Sequence, residues 1–365
     1  MPTIDVIAGA RPNLMKVASI LRALDARRAQ GGALGYRLVH TGQHYDPRMS
    51  GDFFAQLGIP EPAVNLEVGS GSHAEQTGAI MLRYEALLAR EAPALCLVVG
   101  DVTSTLACAI TARKAGLRVA HVEAGLRSGD WTMPEEINRR VTDALSDWLF
   151  TTSEGAGANL RAEGAPEGSI HFVGNTMIDT LLAHRARFRR PEFAAALGLA
   201  PGGYFVLTLH RPALVDDPAR LEPMLHAVAD GARGLPVVYP VHPRTARVMA
   251  GLGALPANLH CVEPQPYLEF NGLVADAKAV ITDSGGITEE TTVLGVPCLT
   301  LRDTTERPET VELGTNALIG TAPAALAPAF SRLFEGRWPK GRIPPLWDGR
   351  AGERIVAVLE RALAL

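Results

Sequence analysis

The sequence predicts an α/β protein built from two doubly wound parallel sheets. The chain has 365 residues, and domains typically run about 100–200 residues, which points to two. Short apolar runs alternate with longer stretches of helical period, the pattern of βαβ units. The alternation is interrupted near the basic, proline-marked Phe188-Arg-Arg-Pro191. A first domain is therefore expected at residues 1–188 and a second at 189–350, with a terminal segment, 351–365, that could belong to either half.

Each element has a local reason. In the first half the apolar runs that read as strands are Ile4–Ala8, Tyr36–Thr41, Leu95–Gly100, Arg118–Glu123, Trp148–Thr152 and His171–Val173. Ser72–Arg90 reads as a helix because Ser72-x-x-Glu75 forms a capping box at its start. Pro134–Leu149 opens with Pro-Glu-Glu, placing proline and acids where a helix N-terminus favours them. The second half offers Tyr204–Leu209, Val237–Val241, Leu259–Val262, Ala279–Asp283 and Cys298–Leu301 as strands, and Gly352–Leu365 as a closing helix.

Composition narrows the class of partner. Apolar residues make up 47% and charged residues 20%, enough to bury two cores. The net charge of −4, with no long basic run, argues against nucleic acid, whose phosphates demand a clustered positive face. Cys96, Cys108, Cys261 and Cys298 lie in apolar stretches without a CxxC pair, so they read as buried reduced thiols in a cytoplasmic protein. No basic region precedes an apolar run at the N-terminus, and no stretch reaches the ~18 apolar residues of a membrane helix.

In open parallel sheets ligands bind beyond the carboxyl ends of the strands, so chemistry should follow the runs above. Ala8-Gly-Ala-Arg11-Pro-Asn-Leu-Met-Lys16 turns into a helix with two cations, which suits an anion, although a plain turn explains it equally well. It lacks the Walker spacing. In Thr282-Asp-Ser284-Gly285-Gly286, two glycines let the backbone approach a phosphate, and Glu290 follows two helical turns later, where it could reach a ribose hydroxyl. Asp101, Glu123 and Glu135 arrive at strand or helix ends of one domain, with Arg139 one turn after Glu135. Converging carboxylates repel and raise a pKa, as acid–base work at neutral pH requires. His210 and His242 end two strands of the second half as proton donors or phosphate ligands. Arg302-Asp-Thr-Thr-Glu-Arg-Pro-Glu309 is a dense charge run, ordinarily a solvated loop, but it lies one β-α unit beyond Ser284-Gly-Gly on the same sheet edge and could wall the same cleft. No HxH or HExxH spacing supports a metal site.

Together these motifs resemble one family, the non-hydrolysing UDP-N-acetylglucosamine 2-epimerases. The matching phrases are Arg11-Pro…Lys16, Thr41-Gly-Gln-His44, Gly100-Asp101, His121-Val-Glu-Ala-Gly-Leu-Arg127, Pro134-Glu-Glu-x-Asn-Arg139, Val173-Gly-Asn-Thr176, His210-Arg211, Thr282-Asp-Ser-Gly-Gly-Ile287 and Arg302-Asp-Thr-Thr-Glu-Arg-Pro-Glu309. The resemblance implies a glycosyltransferase-B fold, two Rossmann-like domains facing a central cleft, with the terminal helix packed back on the first. It also implies UDP elimination across C1–C2 of the sugar to a 2-acetamidoglucal, followed by re-addition after the proton returns to the opposite face of C2. Asp101, Glu123 and Glu135 would handle protons and His210 would assist departure of the diphosphate. Arg11, Ser284, Gly285 and Gly286 would hold the pyrophosphate, and Glu290 the ribose. Phe270 would lie beside uracil, with Lys16, Arg139, His242 and Arg302 around the anionic ligand. No metal or nicotinamide cofactor enters, the ligand is a UDP-sugar, and a homodimer is implied.

Some positions depart from the family pattern. Arg211 is followed by Pro212-Ala-Leu where Arg-Glu or x-Glu-Asn is common, and Asn13 stands where glutamate is usual. Gln43-His-Tyr-Asp-Pro-Arg-Met49 replaces the Gln-His-Arg-x-Met of members activated by their own substrate, which argues against a second regulatory site. Alternatives are a hydrolysing relative that releases UDP and N-acetylmannosamine, a 2-epimerase of a UDP-2,3-diacetamido uronic acid, and a glycosyltransferase or nucleotide-sugar-binding regulator. Three carboxylates at one sheet edge favour the epimerase or hydrolase, because buried acids are costly without catalytic use.

Overall fold

The apolar runs become the central strands of two parallel sheets. A computed structural model describes residues 2–42 and 54–364. It divides into two compact units, Met1–Ala183 together with Pro345–Leu365, and His184–Pro344.

The first unit holds β1 (Thr3–Ala8), β2 (Gly35–His40), β3 (Val64–Asn65), β4 (Leu95–Val99), β5 (Val119–Val122), β6 (Trp148–Thr151) and β7 (Ile170–Phe172), in the order β3-β2-β1-β4-β5-β6-β7. All pairings are parallel, so both faces must be covered and the inner strands carry unbroken apolar sequence. β4 shows this most clearly, since none of Leu95–Val99 is more than 1% exposed. Each such buried aliphatic side chain contributes about 1.5–3 kcal/mol. Four helices bear on the site: α1 (Arg11–Ala29), α2 (His73–Arg90), α3 (Thr103–Lys114) and α4 (Pro134–Leu145). The capping box expected at Ser72 is present, with Ser72 Oγ accepting from Glu75 N and the Glu75 carboxylate accepting from Ser72 N. The terminal helix, Ala351–Ala362, belongs to this unit. Its first two N–H groups donate to the Asp179 carboxylate, and Glu360 near its end pairs with Arg27 of α1.

The second unit contains β8 (Phe205–Thr208), β9 (Val237–Pro240), β10 (Leu259–Val262), β11 (Ala279–Thr282), β12 (Cys298–Thr300) and β13 (Asn316–Leu318), ordered β10-β9-β8-β11-β12-β13 and again parallel. This unit also holds helices α5 (Tyr267–Ala275) and α6 (Gly286–Leu294), on either side of β11 in the chain. The chain is thus α/β with two Rossmann-like domains.

Three details differ from the sequence expectation. The strands β3 and β13 were not anticipated, because two- and three-residue edge strands leave no apolar run to find. The helix expected to reach Leu149 ends at Leu145, since β6 claims the following residues. Cys261 is exposed rather than buried, because β10 is an edge strand. No helix among the described residues is long and apolar enough to cross a membrane.

Candidate active site

In each sheet the strand order reverses beside the first strand of its unit. The reversal lies between β1 and β4 in the first and between β8 and β11 in the second. Loops leaving neighbouring strands at such a point turn to opposite faces and open a crevice at their carboxyl ends. The loops concerned are Gly9-Ala10 with Gly100-Asp101, and His210-Arg211 with Asp283-Ser284.

Two of the expected carboxylates flank the first crevice, each held by a cation. Asp101 Oδ2 accepts from Arg139 Nη1 at 2.6 Å, and Asn138 Nδ2 donates to the Asp101 carbonyl at 2.8 Å. Glu123 Oε2 lies 2.6 Å from Lys16 Nζ, and both side chains are at most 5% exposed. Lys16, expected beside a bound anion, therefore has an internal partner. Mutual repulsion of bare acids is not what the geometry shows, because α1 and α4 each deliver a compensating charge. Glu123 also adopts φ 73°, a left-handed conformation that costs a non-glycine residue about 1–2 kcal/mol. Its N–H and that of Ala124 both donate to the Phe150 carbonyl, which holds the turn.

Glu135 and Glu136 are separated by helix phase. Glu135 is exposed on the first turn of α4, whereas Glu136 is fully buried. Glu136 accepts from Ser128 N and Oγ and from Arg139 and Arg140, so it is committed to anchoring the β5–α4 loop. Asn13 explains its own departure from the family pattern. Its Oδ1 accepts from Gly9 N and Ala10 N, while Nδ2 donates to the Val99 carbonyl at 2.9 Å. An ionised glutamate could not make that last bond, since it has no donor. The Arg11 side chain and residues Gln43–Met49 lie outside the described part of the molecule.

In the second crevice Asp283 does the organising. It is 1% exposed, and its carboxylate accepts from His210 N, Arg211 N and His210 Nδ1, the last at 2.7 Å. Burial works to raise this carboxyl, but His210 and the two backbone donors outweigh it and hold it below its ordinary range. With Nδ1 engaged, the half-exposed imidazole presents Nε2 outward. Sequence reasoning saw Asp283 only as a strand end. The clue available was its register, since β11 pairs β8 and brings the residues after both strands side by side.

Ser284, Gly285 and Gly286 lead into α6. Gly285 has no room for a side chain: a Cβ there would come within 2.4 Å of Glu306 Oε1 and 2.8 Å of Arg307 Nη1. Beneath this loop lies the charge run of residues 302–309, with Arg302, Glu306, Arg307 and Glu309 buried rather than solvated. Arg302 is 3% exposed and pairs with Glu306, which also contacts Arg307, and Arg307 pairs with Glu289. Burial pushes the Glu306 carboxyl up, but Arg307 and Arg302 outweigh it and hold it well below the usual range. Glu290 is the opposite case. Burial first, then the neighbouring Glu289, raise its carboxyl to about 8 despite hydrogen bonds with Tyr267 and Asn271. His242 is exposed and caps the short helix Pro243–Met249 through Arg244 N. Phe270 is half-buried against the core formed by Leu273, Val280 and Ile287. Among the described residues no group of three or more His, Cys, Asp or Glu is arranged to hold a metal ion.

A family model described as UDP-N-acetylglucosamine 2-epimerase matches residues 27–360. The chain belongs to the UDP-N-acetylglucosamine 2-epimerase family. Among its relatives, a UDP-N-acetylglucosamine 2-epimerase of Methanocaldococcus jannaschii is 39% identical over 368 residues, covering 98% of either chain. A UDP-2,3-diacetamido-2,3-dideoxy-D-glucuronate 2-epimerase of Pseudomonas aeruginosa is 41% identical over 320 residues, or 87% of this chain and 88% of that one. A crystal structure of the M. jannaschii UDP-GlcNAc 2-epimerase in complex with UDP-GlcNAc and UDP matches with a TM-score of 0.88 and 38% identity. It covers 98% of this chain and 99% of its own. The family is thus one of epimerases acting on nucleotide sugars.

Proposed function

We propose that this chain reversibly epimerises UDP-N-acetylglucosamine at C2, by eliminating UDP and adding it back. A base removes the C2 proton while the C1–oxygen bond to the diphosphate breaks, giving UDP and a 2-acetamidoglucal. A proton then reaches C2 from the opposite face and the diphosphate oxygen re-forms its bond at C1. Bonds made and broken balance, and no redox partner is required.

The observation that carries this reading is the pair Asp101 and Glu123, held at adjacent strand ends by separate cations, Arg139 and Lys16. Carboxylates fixed in this way suit proton transfer at carbon, where position and charge state must both be maintained. Glu135 is the third proton-handling candidate, available to solvent on α4. His210, oriented by Asp283, would donate to the departing diphosphate through Nε2. Ser284, Gly285 and Gly286 would receive the pyrophosphate at the α6 N-terminus. Glu290 would meet the ribose and Phe270 the uracil, and Arg11 and His242 would each contact the diphosphate. Lys16, Arg139 and Arg302 would act through the carboxylates they hold. The reading carries with it a cytoplasmic homodimer that supplies precursors for cell-surface polysaccharide.

A second reading, 2-epimerisation of a UDP-2,3-diacetamido uronic acid, is favoured by the 41% identity to the P. aeruginosa enzyme. Incubation of each substrate in deuterated water, followed by NMR, tests both. Deuterium at C2 of a UDP-linked N-acetylmannosamine is the expected result. Turnover of only the diacetamido uronate would transfer the assignment to that sugar. Free sugar plus UDP would replace it with hydrolysis, and no turnover of either would refute epimerisation.

A further inference from the structure

His121 is the penultimate residue of β5 and has no exposure to solvent. Its two ring nitrogens both face acceptors. Nδ1 lies 2.6 Å from Asp143 Oδ1, and Nε2 lies 2.7 Å from the Gly100 carbonyl oxygen. A carbonyl can only accept, so Nε2 must carry a hydrogen. Asp143 is equally committed. Its Oδ2 accepts from Gly125 N at 3.1 Å and pairs with Arg127 Nη1 at 2.7 Å, and these partners favour the ionised carboxylate, whose Oδ1 is then an acceptor for a hydrogen on Nδ1. A neutral imidazole would leave a lone pair against one of these oxygens at under 3 Å, an unfavourable contact between two acceptors.

We propose that His121 is a positioning residue that works as a doubly protonated clamp, gripping Asp143 with Nδ1–H and the Gly100 carbonyl with Nε2–H to fix the turn that aims Asp101. Gly100 has φ +68°, a conformation that a side chain would strain, and it joins β4 directly to Asp101. The turn is pinned on both sides of that joint, by His121 on the Gly100 carbonyl and by Asn138 on the Asp101 carbonyl. Asn138, Arg139 and Asp143 share the buried face of α4, so one helix reaches Asp101 both directly and through the imidazolium. Asp143 is consistent with this charge state: burial would raise its carboxyl, yet His121 and Arg127 hold it below its ordinary range. The charged groups around His121 and Asp101 are Lys16 of α1, Asp101 after β4, Glu123 and Arg127 after β5, Glu136, Arg139, Arg140 and Asp143 of α4, and Glu163. Lys16 pairs with Glu123, Arg139 with Asp101 and Glu136, and Arg140 with Glu136 and Glu163. Asp143 lies between His121 and Arg127, and Arg127 also pairs with Glu163.

The inference rests on the reading of Asp101 as a proton-handling group, and the experiment separates the two. Histidine labelled with ¹⁵N is incorporated into the whole chain, and His121 is assigned by its loss in His121→Gln. Under the conditions of the turnover assay both ring nitrogens of His121 should show bonded hydrogens, since each faces an acceptor. A bare ring nitrogen would overturn the clamp. In turnover of the UDP-sugar, His121→Gln keeps one donor and should lose on the order of 10-fold in kcat. His121→Phe keeps neither and should lose on the order of 100-fold, the scale of a misplaced catalytic group. KM should stay within about 2-fold, because the clamp aims Asp101 rather than binding ligand. A folded variant with wild-type kcat would overturn the positioning role. Should His121→Phe fail to fold, the glutamine variant and the spectrum decide between these outcomes. If the wild-type chain turns over no UDP-sugar, the proposed function falls while the spectrum still judges the clamp.

Discussion

Replacing Lys16 by methionine isolates the cost of the buried pair at the first sheet edge. Nζ and Oε2 are 2.6 Å apart and both side chains are at most 5% exposed. At an effective dielectric of about 20, charges at that distance attract by about 6 kcal/mol, part of which desolvation offsets. Removing one member of such a pair typically costs about 3–5 kcal/mol, because the remaining charge stays buried. Glu123 has little freedom to swing outward, since its left-handed turn is fixed by the Phe150 carbonyl. Lys16→Met should therefore lose about 3–5 kcal/mol at neutral pH, and Lys16→Met with Glu123→Gln should recover most of it. Urea unfolding followed by tryptophan fluorescence can report this, because Trp131, Trp148 and Trp347 lie in the first unit and Trp338 in the second. The first unit's midpoint should fall by on the order of 1–2 M. A loss below about 1 kcal/mol, or a double variant as unstable as the single one, would refute the assignment of Lys16 as an internal counter-ion.

Other consequences can be checked independently. Asp283→Asn removes the charge that orients His210, so kcat for the UDP-sugar should fall by on the order of 10²–10³ while UDP binding is largely kept; unchanged kcat would show that His210 needs no such partner. Glu290 carries a carboxyl raised from its ordinary value near 4.5 to about 8, so the folded chain retains a proton that the unfolded chain releases. Its stabilising contribution is complete in acid, erodes as pH rises above the ordinary value and is gone above about pH 8, at up to about 1.4 kcal/mol per pH unit. Denaturation of Glu290→Gln between about pH 5 and 9 should show a flatter profile than wild type, and parallel profiles would count against the buried acid. Gly285→Ala would place a methyl 2.4 Å from Glu306 Oε1. It should cost about 1–3 kcal/mol of stability and weaken UDP binding, as calorimetry would detect; wild-type values for both would mean the ion cluster can yield.

Much of this arrangement was legible in the chain because strands that are buried on both faces must be written in apolar residues, and their ends are then conspicuous. Asp101, Glu123, His210 and Asp283 all stand at or just beyond such ends. What was not legible depends on side-chain direction. Nothing in Pro-Glu-Glu says which glutamate turns inward; the phase of α4 buries Glu136 and leaves Glu135 to solvent. Lys16 could be matched with Glu123 only once α1, packed on β1, β2 and β4, brought it to the turn after β5. The run Arg302–Glu309 looked solvated because its opposite charges are close in sequence, yet the same closeness lets them neutralise one another under Gly285. The edge strands β3 and β13 are too short to leave a pattern.

The placement of the terminal helix has a consequence for how the molecule is made. The first unit is discontinuous in the chain, comprising residues up to Ala183 and again from Pro345. Synthesis runs from the amino end, so the intervening unit has all its residues available while the first still lacks the helix that caps on Asp179 and pairs with Arg27. The residues before Ala183 therefore wait for those from Pro345 on, and the part of α1 that this helix contacts stays uncovered until residues 345–364 arrive. Asp179 and Arg27 act as a closing latch whose engagement marks completion of the unit that began first.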